Sequence, residues 1–305
     1  MAINRDEVCI FIPTLNEAPT IGSLIKSFRD LGYNHILVMD GHSGDGTPDI
    51  ARNEGATVRV QKGRGKGNAI IEAVQFIEEP YILMLDGDGT YLPEESDIML
   101  EPLFAGADHV IGNRLVHPEP GALSRLNSFG NEVINYLFKV AHGRFLGDIL
   151  SGYRAFTHTA ICGMRLKEAG FEIETEMAVE AVRNNQNIVV VPVQYKMRPG
   201  TPTKLHPFKD GARIIVTLYR LARLSNPLFY FGFMGIIMSL IGAIIGIYVT
   251  VDWFHGIEHI PLTILTVLLI TVGIQIFMLG VISDLLLSFN KEIRDEIQRL
   301  CPPEK

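Results

Sequence analysis

Tryptophan occurs once in the 305 residues, as Trp253, and cysteine three times, as Cys9, Cys162 and Cys301. An odd count with no CxxC pair excludes a disulfide framework and fits a reduced cytosolic domain. Basic charge is also scarce: 27 Lys and Arg face 34 Asp and Glu, and the net charge of −7 gives no support for nucleic-acid binding. There is no internal repeat and no low-complexity tract, which excludes a repeat array. Mean hydropathy is +0.21 although 20% of the residues are charged, so an apolar excess must be concentrated locally.

Charge is missing altogether from two stretches. Residues 227–251 hold 25 positions without Asp, Glu, Lys or Arg, 18 of them apolar, and 260–283 hold 24, 16 of them apolar. As helices they reach roughly 36–38 Å at ~1.5 Å per residue, enough to cross a ~30 Å hydrocarbon core. They read as a transmembrane hairpin, and their place late in the chain excludes a signal peptide. Seven basic residues (Lys196, Arg198, Lys204, Lys209, Arg213, Arg220, Arg223) precede the first span against one acid, Asp210, whereas the hairpin loop has no Lys or Arg. Both termini are therefore expected on the cytoplasmic side, with Tyr248, Trp253 and Phe254 as anchors at the outer interface. The expected organisation is a cytosolic domain over 1–206, an amphipathic juxtamembrane helix over 207–226, spans over 227–251 and 260–284 joined by an extracytoplasmic loop over 252–259, and a cytosolic tail over 285–305. His255 and His259 read as solvated loop residues. Gly232, Gly235, Gly242 and Gly246 permit close helix packing, within the hairpin or between protomers, so a homo-oligomer stays open.

The first ~200 residues alternate short β-branched runs with helical patterns, which predicts an α/β sheet. Strands are expected at 8–12, 35–39, 57–60, 81–85, 109–111 and 188–193, and helices at 20–31, 47–54, 67–77, 94–104 and 175–184. Two more helices read as membrane-peripheral: 209–224, with Lys209, Arg213, Arg220 and Arg223 on one face, and 124–141, whose apolar Leu126, Phe129, Val133, Leu137 and Val140 fit a core face or a membrane face equally.

Polar and glycine-rich segments fall just after strands, where open α/β sheets bind ligands. The strand at 81–85 runs into Asp86-Gly87-Asp88-Gly89. Two carboxylates separated by glycine at a strand end can share a hard cation such as Mg²⁺ or Mn²⁺; the alternative is a turn with two solvated aspartates. An EF-hand is excluded because Tyr91 and Asp97 stand where its glycine and glutamate belong. Asp40, ending the second strand, suits the N–H of a base or ribose hydroxyls, and Thr47 reads as a helix N-cap with Pro48 following. The alternating glycines of Gly63-Arg64-Gly65-Lys66-Gly67 allow backbone approach to an anion, with Lys66 adding charge beside a helix N-terminus. Their spacing is neither that of a dinucleotide fingerprint nor that of a Walker A loop.

Taken in order, Pro13-Thr14-Leu15-Asn16-Glu17, Asp40 with Ser43-Gly44-Asp45-Gly46-Thr47, Gly65-Lys66-Gly67, Asp86-Gly87-Asp88, Ser151-Gly152-Tyr153-Arg154 and Glu174-Thr175-Glu176-Met177 resemble family 2 glycosyltransferases of the GT-A fold. Within that family they are similar to the polyprenyl- and dolichyl-phosphate hexosyltransferases. The resemblance implies a Rossmann-like GT-A domain in which Pro13, Asn16, Glu17, Asp40, Asp45, Lys66 and Lys204 bind a UDP- or GDP-sugar. It implies that Asp86 and Asp88 hold Mg²⁺ or Mn²⁺, that Arg198 with the Thr203-Lys204-Leu205 segment closes over the donor, and that Arg114, Arg125 and Ser128 hold the acceptor phosphate. Glu174 and Glu176 fall where this fold places a base or a sugar ligand; Glu176, with Asp86, Asp88 and Arg198, is the expected catalytic set. The implied reaction is inverting transfer of a hexose or N-acetylhexosamine to a polyprenyl or dolichyl monophosphate in the bilayer. A processive polysaccharide synthase is the rival enzyme, but the QxxRW motif is missing. A non-catalytic nucleotide-sugar-binding membrane protein is the other alternative, which predicts a degraded metal site where Asp86 and Asp88 are intact.

Overall fold

The computed structural model describes residues 3–199 and 207–300, apart from the side chains of 125, 207–210, 221–225, 290–292 and 294–300. The described residues form a seven-stranded mixed sheet: β1 (Val8–Thr14), β2 (His35–Asp40), β3 (Thr57–Val60), β4 (Tyr81–Met84), β5 (His109–Pro118), β6 (Arg154–Thr157) and β7 (Ile188–Tyr195), in spatial order β3-β2-β1-β4-β6-β5-β7. Only β6 runs antiparallel to its neighbours, β4 and β5. All of β1 is buried, as befits a central strand covered on both faces. Val8, Ile10 and Ile12 face α1 (Ala18–Asp30), α2 (Thr47–Asn53) and α4 (Ser96–Phe104); Cys9 and Phe11 face α3 (Lys66–Ala73) and α7 (Ile173–Arg183). On α1 the residues Ile21, Leu24, Ile25 and Phe28 recur at helical spacing and are buried, each contributing about 1.5–3 kcal/mol.

The six expected strands are present, but β6 was not expected. Its sequence, Arg-Ala-Phe-Thr, lacks a β-branched run, and its conformation is set by pairing with β4 and β5 rather than by local propensity. Strand β5 extends past Ile111 to Pro118, with a register shift between Asn113 and His117, which brings Arg114 into the strand. Thr47 is not the N-cap of α2: Gly46, at φ +87°, takes that place, and the Thr47 hydroxyl instead accepts the Glu17 N–H and donates to Asp45.

Helix α5 (Arg125–His142) buries Ile134, Phe138 and Ala141, while Leu126, Phe129, Val133, Tyr136 and Val140 lie outside. The apolar row expected to fit either a core or a membrane is thus mostly exposed, Leu126 at 51% and Phe129 at 65%, and Leu137 is half-buried. The short α6 (His158–Cys162) follows β6, and α8 (Pro207–Ser225) buries Ile214 and Leu218 while exposing Arg213 and Arg220.

The chain divides into two compact units, residues 1–218 and 219–305. The second contains α9 (Pro227–Phe254) and α10 (Ile260–Leu300), each long and apolar enough to cross a membrane. Helix α9 runs past Val251 to Phe254, which shortens the expected loop. The segment expected as a separate tail continues α10 as far as Leu300, because residues 284–300 contain no Gly or Pro to stop it. His259, expected to be solvated, lies 2.7 Å from Asp252 and links the loop to the end of α9.

Candidate active site

Strands β1, β2, β3 and β4 end at one edge of the sheet, where a cleft of about 440 Å³ opens. Pro13, Thr14 and Glu17 line it from β1, Gly41 from β2, Gln61 from β3 and Asp86, Gly87 and Asp88 from β4. Lys66, Arg114, Glu174, Tyr195 and Arg198 enter from elsewhere in the chain.

Two cations are shared among four carboxylates. Lys66 pairs with Asp86 and lies 2.6 Å from Glu174, and Arg198 pairs with Glu17 and lies 3.7 Å from Asp88. Burial pulls the Lys66 ammonium down, but Asp86 and Glu174 outweigh it and raise its pKa above the ordinary lysine value. Asp88 is fixed through Oδ1, which accepts the Thr90 N–H at 3.1 Å and its hydroxyl at 2.6 Å. Formally the group retains an excess of two negative charges. The described residues contain no cluster of three or more His, Cys, Asp or Glu suited to a metal. Two strand-end aspartates with this charge deficit nevertheless fit a hard divalent ion that takes its other oxygens from phosphate and water.

Arg114 lines the same cleft. Its Nε and Nη2 donate to Asp148 at 2.7 and 2.9 Å, and its guanidinium lies 5.3 Å from the Tyr195 ring centroid. Burial opposes its charge, but Asp148, itself fully buried, holds its pKa well above the ordinary value.

Other expected site residues are placed differently. Asn16, at φ +51°, accepts the Gly44 N–H and donates its own N–H to Ser43, and Asp45 accepts the N–H groups of Ala18 and Thr47. These two side chains tie the β1 and β2 loops together and do not line the cleft. Asp40 Oδ2 accepts the Ser43 N–H, while its Oδ1 is buried with no partner among the described residues. Glu176 does not reach the cleft: its carboxylate accepts the N–H groups of Lys167 and Glu168, both at 2.8 Å, and burial raises its pKa. The carboxylate that does reach the cleft from α7 is that of Glu174. Ser128 lies in the first turn of α5, away from the cleft lining; the Arg125 side chain, like Lys204, lies outside the described residues.

The glycine run also has another use. A Cβ at Gly65 would lie 2.3 Å from Ala169 O and one at Gly67 1.9 Å from Glu168 O, and the Gly67 N–H is spent on Ala169 O. Both glycines admit the backbone of residues 168–169, and Gly65 also lines the cleft.

Motif reading passed over Gln61, whose signal was its place directly after β3, and the contribution of Arg154. That side chain is fully buried and donates to the carbonyls of Ile149, Ser151 and Glu174; burial brings its pKa down to about 10. It thereby fixes Gly152 beside Asp86, where a Cβ would lie 2.3 Å from Oδ2 and 2.9 Å from Lys66 Nζ. Gly152→Ala is expected to displace Asp86 and Lys66 and lower kcat about 100-fold, with the thermal transition little changed. A variant with unchanged kcat would show that the carboxylate position is not critical.

The mixed α/β sheet, with paired aspartates and part-buried cations in the loops after its parallel strands, has the arrangement of the GT-A fold. The sequence model of glycosyl transferase family 2 matches residues 9–168, and the chain belongs to that family. It is similar to glycosyltransferase AglJ of Haloferax volcanii, 47% identical over 298 residues that cover 97% of this chain and 98% of the other. Dolichyl-phosphate hexose transferase of the same organism is 31% identical over 211 residues, covering 68% and 91%. Among solved structures, glucosyl-3-phosphoglycerate synthase of Mycobacterium tuberculosis in complex with Mn²⁺ and UDP-glucose gives a TM-score of 0.59 at 21% identity, covering 70% of this chain and 78% of that one.

Proposed function

We propose that this enzyme transfers a hexose or N-acetylhexosamine from a UDP- or GDP-linked donor to a polyprenyl or dolichyl monophosphate, with inversion. The observation that carries the reading is a single cleft with an acidic end at Asp86 and Asp88 and the Arg114 guanidinium in the same lining. It occurs on a chain with two membrane-length apolar helices. The relatives named for dolichyl-phosphate hexose transfer support the same acceptor class.

Mg²⁺ or Mn²⁺ held by Asp86 and Asp88 supplies charge neutralisation at the leaving diphosphate. Lys66 and Arg198 each bridge two carboxylates and can exchange them for phosphate oxygens when the donor arrives. A phosphate monoester is largely ionised near neutral pH, with a second pKa of about 6, so its oxygen attacks without a strong base. Glu174 accordingly serves to hold Lys66 and a sugar hydroxyl rather than to abstract a proton. The acceptor oxygen bonds to the anomeric carbon as the bond to the diphosphate breaks, turning an α-linked donor into a β-linked lipid phosphate. The acceptor chain stays in the bilayer, so the cleft must work at headgroup height. The exposed apolar row of α5 and the exposed Arg213 and Arg220 of α8 suit docking on an anionic cytoplasmic leaflet.

The test is incubation of the purified chain with dolichyl or polyprenyl phosphate, Mg²⁺ or Mn²⁺, and a panel of labelled UDP- and GDP-sugars. One donor is expected to give organic-extractable label that a chelator abolishes; label that stays water-soluble for every donor would refute the reading.

A further inference from the structure

The glycines of α9 are engaged inside the hairpin. A Cβ at Gly235 would lie 2.5 Å from Gly273 O of α10, one at Gly242 2.8 Å from Ile270, and one at Gly246 2.9 Å from Thr266. Any contact between protomers must therefore use another face. On α10, the side turned from α9 exposes Leu268, Thr271, Gln275, Met278 and Ile282, at steps of three and four. Gln275 stands at the midpoint of the apolar segment Ile260–Phe289, about 22 Å of helix from either end, too deep for its amide to reach the headgroups. The amide is exposed, and the described residues give it no hydrogen bond. An unpaired amide facing hydrocarbon is costly, which marks this position as one that a partner must satisfy.

We propose that a second copy of this chain packs along this row, with the two Gln275 amides hydrogen-bonded to each other. The inference rests on the reading of α10 as a transmembrane span. Copies inserted with one topology are parallel, so a two-fold axis along the bilayer normal sets residue 275 opposite residue 275. An amide both donates and accepts, so identical side chains satisfy one another, whereas an unrelated helix must bring its own polar group to the same depth. The alternating steps of three and four match the a and d positions of a parallel pair, with Gln275 the polar residue that fixes its register.

The test uses the full chain in lipid vesicles, with Cys9→Ala, Cys162→Ser and Cys301→Ser as background. Met278→Cys is expected to give an oxidant-induced disulfide dimer. Leu240→Cys, exposed on α9 within its apolar stretch, is expected to give none. Adding Gln275→Leu should deplete the crosslinked dimer, and the dissociation constant from energy transfer between labelled copies should rise roughly three- to twenty-fold. Equal crosslinking at 278 and 240, an unchanged constant in Gln275→Leu, or a monomeric parent overturns the dimer while leaving the span and the transferase reading intact. Release of the chain by alkaline carbonate overturns the span, and this proposal with it.

Discussion

Asp88→Asn is expected to lower kcat for sugar transfer about 10²–10³-fold, the cost of removing one group that stabilises developing charge. Asparagine keeps an oxygen able to accept the Thr90 N–H and hydroxyl, so the turn after β4 persists. What disappears is the negative charge facing Arg198 and offered to the proposed divalent ion. Metal-dependent nucleotide binding should weaken in parallel, while the thermal transition stays near that of the parent. Full activity in Asp88→Asn would remove this carboxylate from the proposed metal role.

The second large effect is expected at Arg114. Its partner Asp148 is fully buried, so Arg114→Met strands a carboxylate in the interior and should cost about 3–5 kcal/mol of folding stability, read from chemical denaturation of the purified chain. Arg114→Met combined with Asp148→Leu removes both charges and should recover most of that loss. The pair of variants separates two roles of one arginine. If Arg114 also grips the acceptor phosphate, the double variant folds but shows a KM for lipid phosphate raised at least about tenfold, with the donor KM little changed, since losing a charged hydrogen bond costs about 1.5–3 kcal/mol. A double variant with normal acceptor KM would confine Arg114 to a structural role.

These expectations show which features were legible in the chain. Asp86, Asp88 and Pro13 sit at or beside the ends of short apolar strands, and a strand end that turns polar after a buried run is a local pattern. The same locality made the two charge-free spans readable and placed the GT-A domain before them. Glu174, Gly152 and Arg154 were harder, because their positions depend on β6 threading antiparallel between β4 and β5, a pairing across more than 40 residues that no local propensity announces. Glu174 and Glu176 stand two residues apart in one segment, and local sequence does not separate their roles. Only the loop at Lys167 and Glu168, folded back onto α7, decides which of them is consumed by backbone N–H groups. The glycines at 65 and 67 have a second cause that local sequence does not announce, the backbone of residues 168–169 packed against them. Helix α5 shows the converse: periodicity revealed an apolar row but not which side of the helix the domain would cover.

The central claim is that the cleft joins a nucleotide-bound sugar to a lipid monophosphate. Mass analysis of the product made by the purified chain in vesicles containing polyprenyl or dolichyl monophosphate tests it most directly. The account predicts one sugar on one phosphate on the intact lipid, β-linked from an α-linked donor, formed only with a divalent ion present. A product carrying two phosphates, a water-soluble glycoside, or free sugar alone would contradict it.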